Sequence, residues 1–319
     1  MVAMAEVLTF GETMMVLNPE TTGPLRHVPA FRKSIGGAES NVAVGLCRLG
    51  HTAAWVSKAS ADPVGDYVLT TIRGEGVDVT HVVQTDGFTG LILKERPGLG
   101  DPNVFFYRKG AAASTMQPAE FPLVALDGVR ILHATGIFPA LSPNCLATSR
   151  LVFREAKARG LAISFDPNMR RKLWTEAEAR PVMRELAARA DILLPGLDEG
   201  ELLAGPGTPE AIVERLLELG PQIVALKLGP DGALVGVRGG GRPTHVPGTP
   251  LTPVDTVGAG DAFAAAFLAF TLEGAPAVAA AAMGCAAGAL ATQVLGDIEG
   301  LPLRADLERL AGGRAPVTR

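Results

Sequence analysis

Short apolar runs alternate with helical stretches along most of this 319-residue chain, and nothing else in the sequence restricts the fold as much. Residues 7–10 form an apolar run ending at Gly11 and Glu12, a buried strand that reaches a polar edge. Helical spacing runs from Asn41 to Leu49 and stops at Gly50; a strand at 53–57 and a helix at 64–75, closed by Gly76, come next. After residue 130 the pattern repeats. Strand 130–134 leads to helix 142–159, with Ser142 as N-cap and Gly160 as stop, then strand 162–165, helix 176–188 and strand 192–194. Helices 198–204 and 209–219, strand 223–227 and a hairpin-like pair at 233–237 and 244–246 follow. Helices 260–272, 276–292 and about 304–311 complete the order. Such alternation implies a three-layer α/β/α domain on a mostly parallel sheet. Composition agrees: 47% hydrophobic residues with only 5% aromatics suits parallel strands under Ala/Leu-rich helices.

One region breaks the rhythm. Residues 88–95 and 103–108 are β-prone and flank a Gly/Pro-rich loop at 97–103, which reads as a hairpin. Inside a βα alternation a hairpin does not easily join the parallel sheet, so a small β lid is expected. Residues 13–37 read as irregular. The expectation is one domain over 1–319 whose lid comes from insertions at about 15–35 and 88–110, its exposed strands offering an edge for homo-oligomers.

Several function classes are excluded early. Twenty-nine basic against 33 acidic residues give a net charge of −4, with no Lys/Arg cluster of four, so no nucleic-acid partner is expected. Cys47, Cys145 and Cys285 form no close pair and read as reduced, buried residues of a cytoplasmic protein. The N-terminus shows no signal peptide. Asp261, Glu273, Gly274 and Pro276 divide the apolar 262–295 stretch into two core helices, each too short to span a membrane.

The chemistry concentrates at Gly258-Ala259-Gly260-Asp261, where a glycine-rich turn opens a long apolar helix. Such a turn presents unpaired N–H groups at the positive end of the helix dipole, an anion hole suited to a phosphoryl group. Asp261 falls in the first turn, where a carboxylate can take a proton from an alcohol. Spacing alone equally allows Asp261 to be a capping residue. Gly36 and Gly37 let the backbone approach a polyol, and Asn41 both donates to and accepts from hydroxyls. Gly229 and Gly232 flank a turn after Lys227, with room for a flat ligand or an ordinary hairpin turn. No Walker-type loop and no dinucleotide fingerprint is present.

The run from Val254 to Phe263 resembles the C-terminal signature of the ribokinase-like (PfkB-type) carbohydrate kinases. Gly36-Gly37-Ala38 with Asn41 resembles their N-terminal sugar-contacting motif, and Lys227 to Ala233 resembles the strand-turn bordering the nucleotide. The motifs stand in the family's order, and the resemblance covers essentially the whole chain. It implies ATP-dependent phosphoryl transfer, with Asp261 as base, Gly258, Ala259 and Gly260 as the anion hole, and Lys227, Gly229, Gly232 and Gly196 on the nucleotide side. It also implies Mg2+, organised through water by Glu199, although the family's Asn is here Gly196. Asp255 corresponds to an acid near a monovalent-cation (K+) site.

Within the family the resemblance is to the 2-keto-3-deoxygluconate kinases, through Phe106-Tyr107-Arg108, Asp166 to Trp174, and Asp297. Arg108 and Arg170 suit a sugar acid, whose carboxylate takes charge-assisted hydrogen bonds. Ile92 and Phe106 replace aromatic and Tyr residues of that pattern, removing hydroxyls that would bond the ligand. The alternatives are a fructose, ribose or nucleoside-like acceptor, and a non-enzymatic ligand sensor, against which the intact Asp261 argues.

Overall fold

The computed structural model describes residues 4–98 and 103–311. Its first eight strands are β1 (Val7–Phe10), β2 (Met14–Pro19), β3 (Phe31–Gly36), β4 (Ala53–Val56), β5 (Lys58–Ser60), β6 (Val83–Thr85), β7 (Leu91–Glu95) and β8 (Asn103–Tyr107). The others are β9 (Ile131–Thr135), β10 (Ala162–Asp166), β11 (Ile192–Leu193), β12 (Ile223–Lys227), β13 (Ala233–Val237) and β14 (Thr244–Val246). The helices are α1 (Ala38–Arg48), α2 (Pro63–Gly74), α3 (Ile137–Leu141), α4 (Pro143–Ala158), α5 (Glu176–Ala187), α6 (Leu197–Ala204), α7 (Pro209–Leu219), α8 (Ala259–Leu272), α9 (Ala277–Ala291) and α10 (Arg304–Ala311).

An eight-stranded sheet in the order β14-β13-β12-β11-β10-β9-β1-β4 forms the middle layer. From β12 to β4 neighbours run parallel, and β13 and β14 add an antiparallel edge. Alternation along each strand splits the core in two. Leu8, Phe10, Leu132, Ile163 and Phe165 pack under α4, α5 and α7. Val7, Trp55, Ile131 and Ile192 pack under α1, α2, α8 and α9. The fold is thus α/β in three layers, as the alternation implied.

Two local contacts position the site. Ser142 caps α4 by accepting the Cys145 N–H, and Gly160 follows that helix with φ +73°. Gly45 of α1 lies so close to α8 that a Cβ there would stand 2.6 Å from the Ala265 Cβ. The glycine lets the two helices approach, one turn from Asn41 on α1 and one turn from Asp261 on α8.

The lid is a separate four-stranded sheet, β3-β2-β7-β8. Residues 13–37, which read as irregular, supply two of its strands. Their pattern is broken by Pro19 and Gly23, and pairing of β2 with both β3 and β7 provides the ladder that the local sequence does not advertise. Residues 99–102, at the tip of the expected hairpin loop, lie outside the described residues, as do 1–3 and 312–319.

Candidate active site

The parallel strands end where α8 begins, the usual location of a ligand crevice in an open α/β sheet. Gly258 holds a left-handed conformation (φ 77°) at the N-cap of α8, and a Cβ there would meet the Asp297 carbonyl at 2.6 Å. Among the described residues no hydrogen bond engages the N–H groups of Gly258, Gly260 or Asp261, and that of Ala259 reaches Thr256 O only at 3.4 Å. The turn therefore presents a row of free donors at the positive end of a helix. Beside them Asn41 Nδ2 donates to Asp261 Oδ2 at 2.7 Å, joining two motifs 220 residues apart. Burial pushes the Asp261 carboxyl up to about 7, against the opposing Asn41 hydrogen bond, with the neighbouring Asp166 charge adding to the rise.

Under this turn lies a buried set of charges. Lys227, at the end of β12, donates to Asp166 Oδ2 at 2.5 Å, and its ammonium is 3.7 Å from where a Cβ on Gly260 would lie. Burial alone would lower the Lys227 pKa, but Asp166 and Glu199 raise it, so the cation persists. Glu199 spends both oxygens on backbone donors, Met169 N–H and Gly196 N–H, each at 2.7 Å. It caps the start of α6 and pins the 166–170 loop, and burial beside Asp166 raises its pKa. A cleft of about 600 Å³ opens here, lined in part by Gly196, Glu199, Lys227, Gly229 and Asp231.

The two glycines of this turn serve different ends. Gly229 has φ +61° with open space beside it, toward the cleft. Gly232 has φ +98° and would place a Cβ 2.1 Å from Val246 O, so it is required for packing against β14.

On the opposite side the lid meets the body. A Cβ on Gly37 would come within 2.4 Å of Glu12 O, and one on Gly36 within 3.1 Å of Asp297 Oδ1. Both glycines let their neighbours approach, and Asp297 is drawn to the seam between Gly36 and Gly258. Burial pushes the Asp297 carboxyl up to about 6. Arg108 forms an ion pair with the buried Glu12, while Arg170 has no side-chain hydrogen bond or ion pair among the described residues and acts electrostatically on Asp261. Phe106 lies beneath the Arg108 and Lys172 cations, 5.8 and 5.3 Å from its ring centre.

One expectation needs correcting. Tyr107 is not gathered with the others: it follows Phe106 in a strand, so it projects from the opposite face and is 56% exposed. Asp255 accepts from Val257 N–H and Gly296 N–H and thereby ties two loops together. Other residues of the site were given no role of their own from the sequence. Glu12 and Asp166 each close a parallel strand, a position that by itself marks a candidate. Glu39 has no such signal. It is fully buried against Thr135 Oγ1 (2.5 Å), with its carboxyl pushed up to about 7 by burial.

A family model described as pfkB family carbohydrate kinase matches residues 4–304. The chain belongs to the pfkB carbohydrate kinases. It is 42% identical to a 2-dehydro-3-deoxygluconokinase of Bacillus subtilis over 98% of this chain and 97% of that one. A crystal structure of a 2-dehydro-3-deoxygluconokinase from Thermotoga maritima superposes with a TM-score of 0.89 at 27% identity, covering 98% and 99% of the two chains. An E. coli protein described as a ribokinase II, solved with ATP and Mg2+, gives 0.88 at 27% identity over 97% and 99%. A carbohydrate kinase of this family transfers a phosphoryl group, and the free amides at Gly258–Asp261 suit that chemistry.

Proposed function

We propose that this kinase phosphorylates the primary hydroxyl of a sugar acid, 2-keto-3-deoxygluconate being the preferred acceptor, with ATP as donor. The observation that carries the proposal is the contact of Asn41 with Asp261 beside the free amides of α8. In this reading Asp261 Oδ takes the hydroxyl proton, and Asn41 orients the carboxylate. The amides of Gly258, Ala259 and Gly260 and the Lys227 ammonium balance charge on the transferring group. The cleft at Gly196, Lys227 and Gly229 accommodates the nucleotide.

The donor set fits magnesium carried on the nucleotide's phosphates. No three acidic, His or Cys groups converge among the described residues, and Glu199 is occupied by backbone donors. Bound in that way, Mg2+ supplies charge neutralisation at the phosphates. A K+ ion near Asp255 and a cytoplasmic location complete the reading. No helix among the described residues is long and apolar enough to cross a membrane.

Gly36, Gly37, Asp297 and Phe106 line the acceptor side. Of the two expected arginines, Arg108 is already paired with Glu12, so the unpaired Arg170 is the first choice to meet the acceptor's carboxylate. The lid excludes water while the transfer proceeds. Its outer face exposes Phe105 and Tyr107 on the edge strand β8, which supports self-association through the lid.

A panel of 2-keto-3-deoxygluconate, fructose and ribose, read by ADP release, tests the substrate. Arg170→Ala is expected to raise KM for the sugar acid by about tenfold and to spare neutral sugars. Faster turnover of fructose or ribose by the unaltered protein would replace the proposal with the neutral-sugar reading, and no turnover of any acceptor would favour a ligand sensor.

A further inference from the structure

The lid delivers to Asp297 a charged side chain that the motifs leave without a role. Lys94 lies in β7 two residues beyond Ile92, so both side chains leave the strand on the same face. On that face Ile92 packs against Met14 and Val16. The Lys94 ammonium ends 3.7 Å from Asp297 Oδ2, with the two side chains only 14% and 15% exposed. Asp297 in turn abuts Gly36 through Oδ1 and Gly258 through its main chain. Lys94 therefore reaches from the lid to the seam between the two glycine motifs, the acceptor side of the proposed function.

The charges around that seam give the lysine its meaning. Asp261, one turn along α8 from Gly258, and Asp297 flank the seam, and Glu12 and Glu39 are buried. The positive charge of Arg108 is met by Glu12, which leaves Arg170 and Lys94 to oppose the remaining acids. Without Lys94 an acceptor carrying a carboxylate would meet Asp297 with no cation beside it. In a partly desolvated space that imbalance is screened much less than at the surface. Burial pushes the Asp297 carboxyl up to about 6, Lys94 works against that rise, and Glu299 and Asp255 add to it. The ammonium thus also keeps Asp297 ionised, as an acceptor for sugar hydroxyls.

We propose that Lys94 is a specificity-determining residue of the acceptor site, selecting anionic over neutral acceptors through its place beside Asp297. The proposal rests on the sugar-acid reading and adds to it a residue from the lid. A neutral sugar gains little from the ammonium. An acid gains an opposite charge and a correctly ionised partner.

Steady-state kinetics on 2-keto-3-deoxygluconate and fructose, for the unaltered protein, Lys94→Met and Lys94→Arg, test it. Lys94→Met is expected to raise KM for the acid about tenfold or more, with kcat and the KM for ATP nearly unchanged. Lys94→Arg, which keeps the charge, should stay close to the unaltered protein, and any fructose activity should change little. Lys94→Gln carries the same expectation should the Met variant not fold. An unchanged KM for the acid in the Met variant, or equal losses on acid and fructose, overturns the role of Lys94 while leaving the sugar-acid reading intact. An unaltered protein that uses fructose and rejects the acid overturns both.

Discussion

Replacing Asp261 by Asn removes the proton acceptor and keeps almost everything else. The Asn amide is the size of the carboxyl, and its oxygen can still accept from Asn41 Nδ2, the bond now 2.7 Å long. Loss of a general base costs about 10²- to 10⁴-fold in turnover, and that is the expected fall in kcat. Stability moves the other way. Burial lifts the folded-state carboxyl from 3.8 to about 7, which corresponds to a ceiling of about 4 kcal/mol carried by the ionised side chain. The sign follows from proton binding: the folded protein holds this proton more tightly than the unfolded chain. The cost is therefore absent below pH about 4, grows between about 4 and 7, and is complete above 7. Asp261→Asn should then melt at a higher temperature than the unaltered protein at pH 8, with the gap closing as the pH falls toward 4. Coupled ADP-release kinetics and thermal melts at several pH values measure both halves. Turnover within tenfold of the unaltered protein would refute the base. A melting temperature lowered equally at every pH would refute the desolvated carboxylate.

The same carboxyl sets a pH profile: kcat/KM should rise with pH through about 7 as Asp261 ionises. Asn41→Ala removes the hydrogen bond that pulls the Asp261 pKa down, so this limb should move to higher pH while turnover falls. Gly45→Val places side-chain atoms where even a Cβ would be 2.6 Å from Ala265 Cβ. Pushing α1 from α8 should cost about 1–3 kcal/mol in a denaturant melt, and kcat should fall with it because Asn41 and Asp261 separate. A Gly45→Val protein with unchanged stability and turnover would show that the helices need no such close approach.

Much of the fold was legible because it repeats. Most strands of the main sheet are apolar runs bounded by turn residues, and Ser142, Gly50, Gly76 and Gly160 mark helix ends by their own chemistry. The lid was half legible: β7 and β8 are dense in aliphatic and aromatic residues, whereas β2 and β3 become strands only through pairing across the lid. Within the site, Asp261 and the glycines were legible because a helix N-terminus is a local object. The partners of the arginines were not. Arg108 reads as a free cation until Glu12, 96 positions away, is found against it, whereas Arg170 has no ion-pair partner among the described residues.

The alternating α/β order, the glycine turn opening α8 and the acid in its first turn follow from local chemistry, since each depends on neighbours within a few residues. Tertiary structure alone decided which charges remain available. It set Asn41 on Asp261, joined Lys227 to Asp166, turned Tyr107 outward and brought Lys94 to Asp297. The physical reason is range: hydrogen-bonded turns and caps close over a few residues, whereas the desolvation and pairing of a charge depend on every chain segment packed around it.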